Sequence, residues 1–176
     1  YVVVWSSQNQ DGSGWGVYAR RYDSAGNALT GEILVNQTTS DDQVWGRVAS
    51  DSAGNFVVTW TSKNQDGTTY SVYARQFDSN GTAQRNEFRV NTTTTGDQSN
   101  GDIALDKTTG QFAITWQGEG PGNPTGIFFR RFNSDGTAID ATDKTATSTN
   151  SGTAVDPTVT YTINGQFVIF FTQGTH

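Results

Sequence analysis

The sequence predicts an all-β protein of tandem four-stranded antiparallel meanders that stack face to face as β-propeller-like blades. Composition is the first observation behind this prediction. Among 176 residues, 12% are aromatic, 20 are Gly and only 16% are charged. Aromatic and β-branched residues favour strands, Gly favours turns, and a helical protein would contain more Leu, Ala, Glu and Lys. The second observation is internal repetition with a period of about 55 residues, which is typical of stacked repeat units.

Four short blocks rich in β-branched and aromatic residues recur along the chain. The first is an aromatic-led segment at 1–5, 56–60, 112–116 and 167–171. The second carries an Arg between aromatic residues, at 16–23, 71–78 and 126–133. The third runs over 32–36 and 87–91 and decays at 142–146, and the fourth lies at 48–51, 103–106 and 159–162. We therefore expect one repeat array over 1–176, with units at about 1–55, 56–111 and 112–166 and a partial fourth unit at 167–176.

The turns and faces of these blocks favour stacked blades. Gly-containing turns such as 23–26 and 51–54 are short enough to close hairpins, whereas connections such as 62–69 and 92–100 are longer and polar. In a meander the tight turns then lie at one end and the long loops, where ligands usually bind, at the other. The aromatic-led strand is apolar on both faces, so both faces need cover. A β-sandwich and an open β-solenoid stack are the alternative folds.

Charge and cysteine content exclude several classes of function. Eleven basic and seventeen acidic residues give a net charge of -6, which disfavours a nucleic-acid partner. No apolar run is long enough for membrane insertion. Cys is absent, so disulfides, thiolate metal sites and Cys nucleophiles are excluded. An acidic chain rich in Thr, Asn and Gly, without Cys or Met, indicates an extracellular or cell-surface location.

The repeat motifs resemble those of very large secreted bacterial proteins. The motifs that carry the resemblance are the aromatic-Val-Val-x-Trp strand, the Gln-Asp-Gly loops at 10–12 and 65–67, and the Asp-Gln pairs at 42–43 and 97–98. Proteins with such repeats are described as adhesins or repeats-in-toxin-type surface proteins. The third repeat departs from the pattern at 118–122 and 151–153. The resemblance implies extracellular display and repetition, and it supplies no catalytic residue.

The aromatic residues separate into two groups. Trp5, Trp60 and Trp116 occupy equivalent positions, which favours a structural role in the repeat core over stacking on sugar rings. Trp15 and Trp45 do not recur, and Tyr70 aligns with Trp15 at the edge of a loop. Amphipathic aromatics in loops are suited to ligand contact, so these three residues are the predicted ligand-binding set.

The recurring charged residues have structural and functional interpretations. Arg20, Arg75 and Arg130 are predicted to belong to the repeat core, stacked on flanking rings and paired with a carboxylate such as Asp51 or Asp106. Binding of acidic sugars is the alternative. Four loop carboxylates are candidate calcium ligands, with ordinary turn chemistry as the alternative. They are Asp11, Asp42, Asp66 and Asp97.

Catalysis finds little support in the sequence. The only His is the terminal His176, so a Ser-His-Asp triad lacks its base. The recurring carboxylates occupy equivalent places, whereas catalysis needs one unique site. We therefore expect a non-enzyme: a structural or adhesive repeat module that associates with neighbouring repeats or identical chains, without a cofactor unless calcium binds. The alternative is a lectin-like propeller that binds surface glycans.

Overall fold

The computed structural model describes residues 1–120, 123–148 and 152–174, and these residues form strands and turns. Pro121, Gly122, Ser151 and His176, considered above, lie outside the described residues. The strands are β1 (Val2–Gln8), β2 (Trp15–Arg21), β3 (Ile33–Leu34), β4 (Gln43–Ser50), β5 (Phe56–Lys63), β6 (Tyr70–Phe77), β7 (Phe88–Arg89), β8 (Gln98–Leu105), β9 (Phe112–Gly120), β10 (Asn123–Phe132), β11 (Lys144–Thr145), β12 (Ala154–Tyr161) and β13 (Phe167–Gln173).

The strands pair in chain order as antiparallel meanders, which confirms the predicted fold class. We call the sheet β1-β2-β3 blade 1, the sheet β4-β5-β6-β7 blade 2, the sheet β8-β9-β10-β11 blade 3 and the pair β12-β13 blade 4. The fourth sequence block, at 48–51 and 103–106, pairs through its tight turn with the aromatic-led strand that follows it. Each of blades 2 to 4 therefore begins one strand before the aromatic-led segment.

The blades stack face to face around an axis lined by their first strands. Strand β4 contacts β8, and β8 contacts β12, so the first strands are neighbours at the centre. Between blades 1 and 2, Val17 and Ala19 pack against Phe56, Val58 and Trp60. The same arrangement recurs between blades 2 and 3, where small aliphatic residues meet aromatic ones. We call the aromatic side of a blade its leading face and the aliphatic side its trailing face.

Burial on both faces makes β5 and β9 the most enclosed strands. Residues 56–62 of β5 and 112–116 of β9 are buried throughout. Trp60 and Trp116 are 0% exposed, and the indole Nε1 of Trp116 donates to Gln98 Oε1 at 2.8 Å. Trp5, in β1, is only half-buried and stacks on Tyr18. The structure therefore places Trp60 and Trp116 in the core between blades.

A buried amide side chain ends each of the first two outer strands. Asn36 Oδ1 accepts a hydrogen bond from the Val17 amide at 2.7 Å, and Asn91 Oδ1 accepts one from the Val72 amide at 2.8 Å. Both side chains are 1% exposed, and both amide nitrogens donate to backbone carbonyls. These bonds replace the backbone ladder, which explains why β3 and β7 are only two residues long.

The recurring arginines bind backbone carbonyls instead of the predicted carboxylates. Arg75 donates to Val35 O at 2.9 Å, and Arg130 donates to Val90 O at 2.6 Å. Each guanidinium also lies over the ring two residues later, as predicted. Asp51 and Asp106 are not their partners, because these carboxylates accept hydrogen bonds from the tight turns that they begin. Arg75 thus ties blade 2 to blade 1, and Arg130 ties blade 3 to blade 2.

No helix within the described residues is long and apolar enough to cross a membrane.

Candidate functional site

The first strand of each of blades 2 to 4 contains a bulge at the same place. The pairing of β4, β8 and β12 with the next strand shifts between 44 and 47, 99 and 102, and 155 and 158. Inside each bulge one residue has a left-handed backbone: Trp45 at φ 59, Asn100 at φ 53 and Asp156 at φ 53. A non-Gly residue with positive φ is uncommon, and for a residue as bulky as Trp45 the conformation is strained. Three equivalent cases show that the scaffold imposes this conformation around the axis.

The bulges repeat in geometry but not in side chain. The left-handed position carries a Trp, an Asn and an Asp in turn. Two residues later the chain carries Arg47, Asp102 and Thr158. In the aromatic-led and Arg-bearing strands, by contrast, equivalent positions hold similar residues. The three bulges share one backbone conformation but carry different side chains. A single asymmetric binding site needs such differences between otherwise equivalent strands.

All of these side chains except that of Trp45 line a cavity of about 250 Å³ at the axis. The cavity is formed by three consecutive first strands, which bring together a guanidinium, an amide and two carboxylates. Its lining residues are Arg47, Asn100, Gly101, Asp102, Asp156, Pro157 and Thr158. We call this set the axial site.

Hydrogen bonds fix one oxygen of each axial carboxylate. Asn100 Nδ2 donates to Asp156 Oδ1 at 2.9 Å. Thr158 Oγ1 and the Val159 amide donate to Asp102 Oδ2 at 2.8 and 2.9 Å. Among the described residues, Asp102 Oδ1 and Asp156 Oδ2 accept no hydrogen bond. Both carboxylates are therefore oriented and keep an acceptor oxygen for a ligand.

A second cavity, of about 220 Å³, lies beside the axial site at the long-loop end. Its lining includes Ser99, Gln117 and Glu119 together with Asp97. Gln117 Oε1 accepts a hydrogen bond from the backbone amide of Asp156 at 3.1 Å, which connects the two cavities through one side chain. The bulges that form the axial site lie near the starts of β4, β8 and β12, next to the long connections that precede these strands.

Of the predicted ligand-contacting aromatics, only Trp45 lies on a strand that lines the axial site. It is 49% exposed and sits in the β4 bulge, although the sequence interpretation placed it in a long connection. The error has a physical cause, because Trp-Gly at 45–46 interrupts the strand pattern and resembles a turn. Trp15 is 37% exposed at the start of β2, and Tyr70 is half-buried at the start of β6. No ring contact joins these three residues.

The predicted calcium ligands are not gathered into one cluster. Asp11 accepts hydrogen bonds from Ser13 and Asn36, and Asp66 accepts them from its own loop and from Arg89. Asp42 and Asp97 accept from a neighbouring strand through their backbone carbonyls. Within the described residues, no three His, Cys, Asp or Glu side chains lie close enough to hold a metal ion. Calcium binding stays a prediction.

None of the seven axial-site residues was predicted from the sequence, including the four with charged or amide side chains: Arg47, Asn100, Asp102 and Asp156. Recurring residues carry the repeat signal, whereas these four occupy positions where the repeats differ. Aligning the first strands and listing the positions where polar residues differ would have found them. The accompanying bulge is marked by Asn-Gly at 100–101 and by Trp-Gly at 45–46.

No protein-family model matches the sequence, and no curated protein is similar to it. The structure is similar to the crystal structure of an endo-arabinase from Bacteroides thetaiotaomicron, with a TM-score of 0.56 and 13% identity over 97% of this chain. It also matches the Hadza microbial sialidase Hz136, with a TM-score of 0.49 and 10% identity over 85% of this chain. This chain has a β-propeller fold. It spans 65% of the endo-arabinase chain and 38% of the sialidase chain, less than two thirds of either.

The prediction that the chain is not an enzyme was wrong. Its blades are arranged as in an endo-arabinase, so a propeller built from repeated units does not exclude catalysis. Recurring carboxylates such as Asp51 and Asp106 do not form a unique site. Asp102 and Asp156 do not recur, and both line the one cavity at the axis, so they meet the condition for a unique site.

Proposed function

We propose that this protein is a carbohydrate-binding β-propeller module of an extracellular or cell-surface protein, and that the ligand binds at the axial site. The observation that carries this proposal is the set of three equivalent bulges with different polar side chains. Each bulge holds a non-Gly residue at positive φ, and residues in such sparsely populated backbone conformations cluster at functional sites. Trp45 has this backbone conformation, and its large indole is exposed.

The chemistry of the axial site suits a ligand rich in hydroxyl groups. Carboxylate and amide oxygens accept hydrogen bonds from hydroxyls, and amide and guanidinium nitrogens donate to them. The exposed indole of Trp45, two residues before Arg47 in β4, lies outside the cavity lining and offers an apolar face with a polar edge, which suits the mixed surface of a sugar ring. The structural similarity to an endo-arabinase supports a carbohydrate ligand and makes arabinan the first polysaccharide to test.

Glycoside hydrolysis at the same site is the second candidate function. Two carboxylic side chains that flank a glycosidic bond are sufficient for acid-base hydrolysis. Asp102 and Asp156 come from adjacent first strands, and each keeps an oxygen without a partner among the described residues. Asp102→Asn and Asp156→Asn test this candidate, since each should abolish release of reducing sugar while leaving the fold intact.

Binding is tested by calorimetry against arabinan and a glycan panel, using Trp45→Gly. Gly adopts positive φ without strain, so this variant should be at least as stable as the parent in thermal unfolding. Its affinity should fall about tenfold or more, as for loss of an aromatic contact residue. Trp15→Ala is the matched control and should bind like the parent. Absence of binding to every glycan, or full affinity in Trp45→Gly, would reject the proposal.

A further inference from the structure

The two complete interfaces between blades share a paired set of contacts, which we call the interblade clamp. At the interface of blades 1 and 2, Arg75 donates to Val35 O, and Glu87 accepts from the amides of Gln37 and Thr38 at 2.6 and 3.1 Å. The guanidinium and the carboxylate both come from the later blade. The carbonyl and the two amides belong to the end of the outer strand of the earlier blade.

The clamp recurs between blades 2 and 3, where the shorter side chain of Asp143 takes the place of Glu87. Arg130 donates to Val90 O, and Asp143 accepts from the amides of Thr92 and Thr93, each at 2.8 Å. One cation thus binds one backbone carbonyl, and one carboxylate binds two successive backbone amides. Because the contacts are to backbone groups, the clamp recognises the shape of the strand end more than its side chains.

Blade 1 has the same pair of charged residues, an Arg and an acidic residue, on its leading face. Arg20 occupies the position of Arg75 and Arg130, and Glu32 occupies that of Glu87 and Asp143. Gln10 donates to Glu32 at 2.6 Å, as Gln65 does to Glu87, so the carboxylate is held in the same way. Within the described residues, neither Arg20 nor Glu32 contacts the end of an outer strand.

The apolar part of this face is also repeated, and it is exposed. Tyr1 and Val3 are 65% and 42% exposed, whereas the equivalent Phe56 and Val58 are 1% and 0% exposed because blade 1 covers them. Trp5 and Tyr22 are half-buried at the positions of Trp60 and Phe77. An exposed patch that is buried at every equivalent interface marks a surface for interaction.

We propose that the leading face of blade 1 binds a further blade of this same repeat type. The partner presents an aliphatic trailing face, like Val17 and Ala19, to the aromatic side chains of blade 1. Its outer strand ends in a Val-Asn-x-Thr pattern, like 35–38 and 90–93, and offers one carbonyl to Arg20 and two amides to Glu32. The partner is identified by continuity with the two interfaces that the structure contains.

A second copy of this chain does not supply that partner. Its strand ends after Val35 and Val90 are already held by its own Arg75 and Arg130. Its blade 4 consists of β12 and β13 in the described residues 152–174 and has no outer strand to offer. The complete clamp therefore requires a blade from additional repeat sequence.

The test is a chain in which an additional copy of residues 1–55 is joined before Tyr1, compared with the parent chain. That copy supplies the first strand of blade 1 and an outer strand ending at the duplicated Val35–Thr38. Glu32→Gln at the original position should leave the urea unfolding midpoint of the parent unchanged. In the extended chain it should lower the midpoint by as much as Glu87→Gln lowers it in the parent. Arg20→Lys should likewise lower the urea unfolding midpoint of the extended chain and leave that of the parent unchanged.

Two results would overturn the proposal. One is a Glu32→Gln shift of the same size in the parent and the extended chain, which shows that no clamp forms. The other is an added copy that limited proteolysis removes while the parent portion resists, which shows that the face does not bind a blade. Glu87→Gln in each chain controls for folding, since its interface is present in both.

Discussion

At the scale of single residues, both carboxylate oxygens of Asp66 accept hydrogen bonds, from the 64–69 loop, from β6 and from β7. Burial raises the pKa of Asp66, but hydrogen bonds from Thr68, Ser71 and Arg89 outweigh it and hold the pKa at about 2. The Thr68 and Ser71 hydroxyls donate at 2.6 and 2.7 Å, and Arg89 Nη1 lies 2.9 Å away. This network stabilises the 64–69 loop and uses the oxygens that calcium would need.

The depressed pKa of Asp66 predicts a specific loss of stability in acid. The carboxylate contributes fully above its unfolded value near 4 and progressively less as the pH falls towards about 2, where the folded group is protonated too. A shift of this size corresponds to about 2 kcal/mol in the free energy of unfolding. The difference between the parent and Asp66→Asn, measured by urea unfolding from pH 6 to 2, should therefore shrink towards low pH.

A matched variant keeps the carboxylate and removes one donor. Thr68→Val eliminates the 2.6 Å hydrogen bond to Asp66 Oδ1, so its pH dependence should lie between those of the parent and Asp66→Asn. A constant difference between the parent and Asp66→Asn across this pH range would contradict the assignment.

At the scale of elements, the bulges in β4 and β8 each depend on a Gly that lies against the preceding blade. A Cβ added to Gly46 would meet Val4 Cγ1 at 2.6 Å and Val17 Cγ1 at 2.9 Å. At the equivalent Gly101 the nearest atom, Val72 Cγ1, would be 3.1 Å away. Both contacts are with the trailing face of the earlier blade, so Gly here serves close approach between blades.

Gly46→Ala should therefore destabilise the protein by about 1–3 kcal/mol, as for overpacking of a tight core. Gly101→Ala should cost less because its neighbour is farther away. Gly31→Ala, which adds a Cβ with nothing within 4 Å, is the control and should be neutral. Urea unfolding of the three variants checks this order. Equal effects at positions 31 and 46 would show that the bulge is not packed as described.

The elements that sequence predicts well are those specified locally. The strands around Phe56 and Phe112 and the Gly turns follow from alternation and turn chemistry, so they were predictable. The axial site was not, because β4, β8 and β12 meet only after the blades stack. Their bulges at Trp45 and Asn100 also interrupt the strand pattern. The arginines illustrate the same limit, since their structural role was predicted but their partners, Val35 O and Val90 O, lie in another blade.

At the scale of the whole molecule, apolar surface is concentrated on the two outermost blades. On the leading face of blade 1, Tyr1 and Val3 are exposed, and on the trailing face of blade 4, Val168 and Phe170 are 39% and 57% exposed. Phe167 and Ile169, which alternate with them along β13, pack against blade 3. The leading and trailing faces are complementary in kind, since aromatic and aliphatic faces meet at every interface inside the molecule.

These faces predict head-to-tail association of the isolated chain, even though two copies cannot complete the interblade clamp. Light-scattering mass should rise with protein concentration, because apolar burial without the clamp gives weak binding. Val3→Asp or Phe170→Asp should each keep the chain monomeric by placing a charge on one of the two faces. Ile163→Asp is the control, since this fully exposed side chain lies in the turn between β12 and β13. A compact monomer at every concentration would contradict association through these faces.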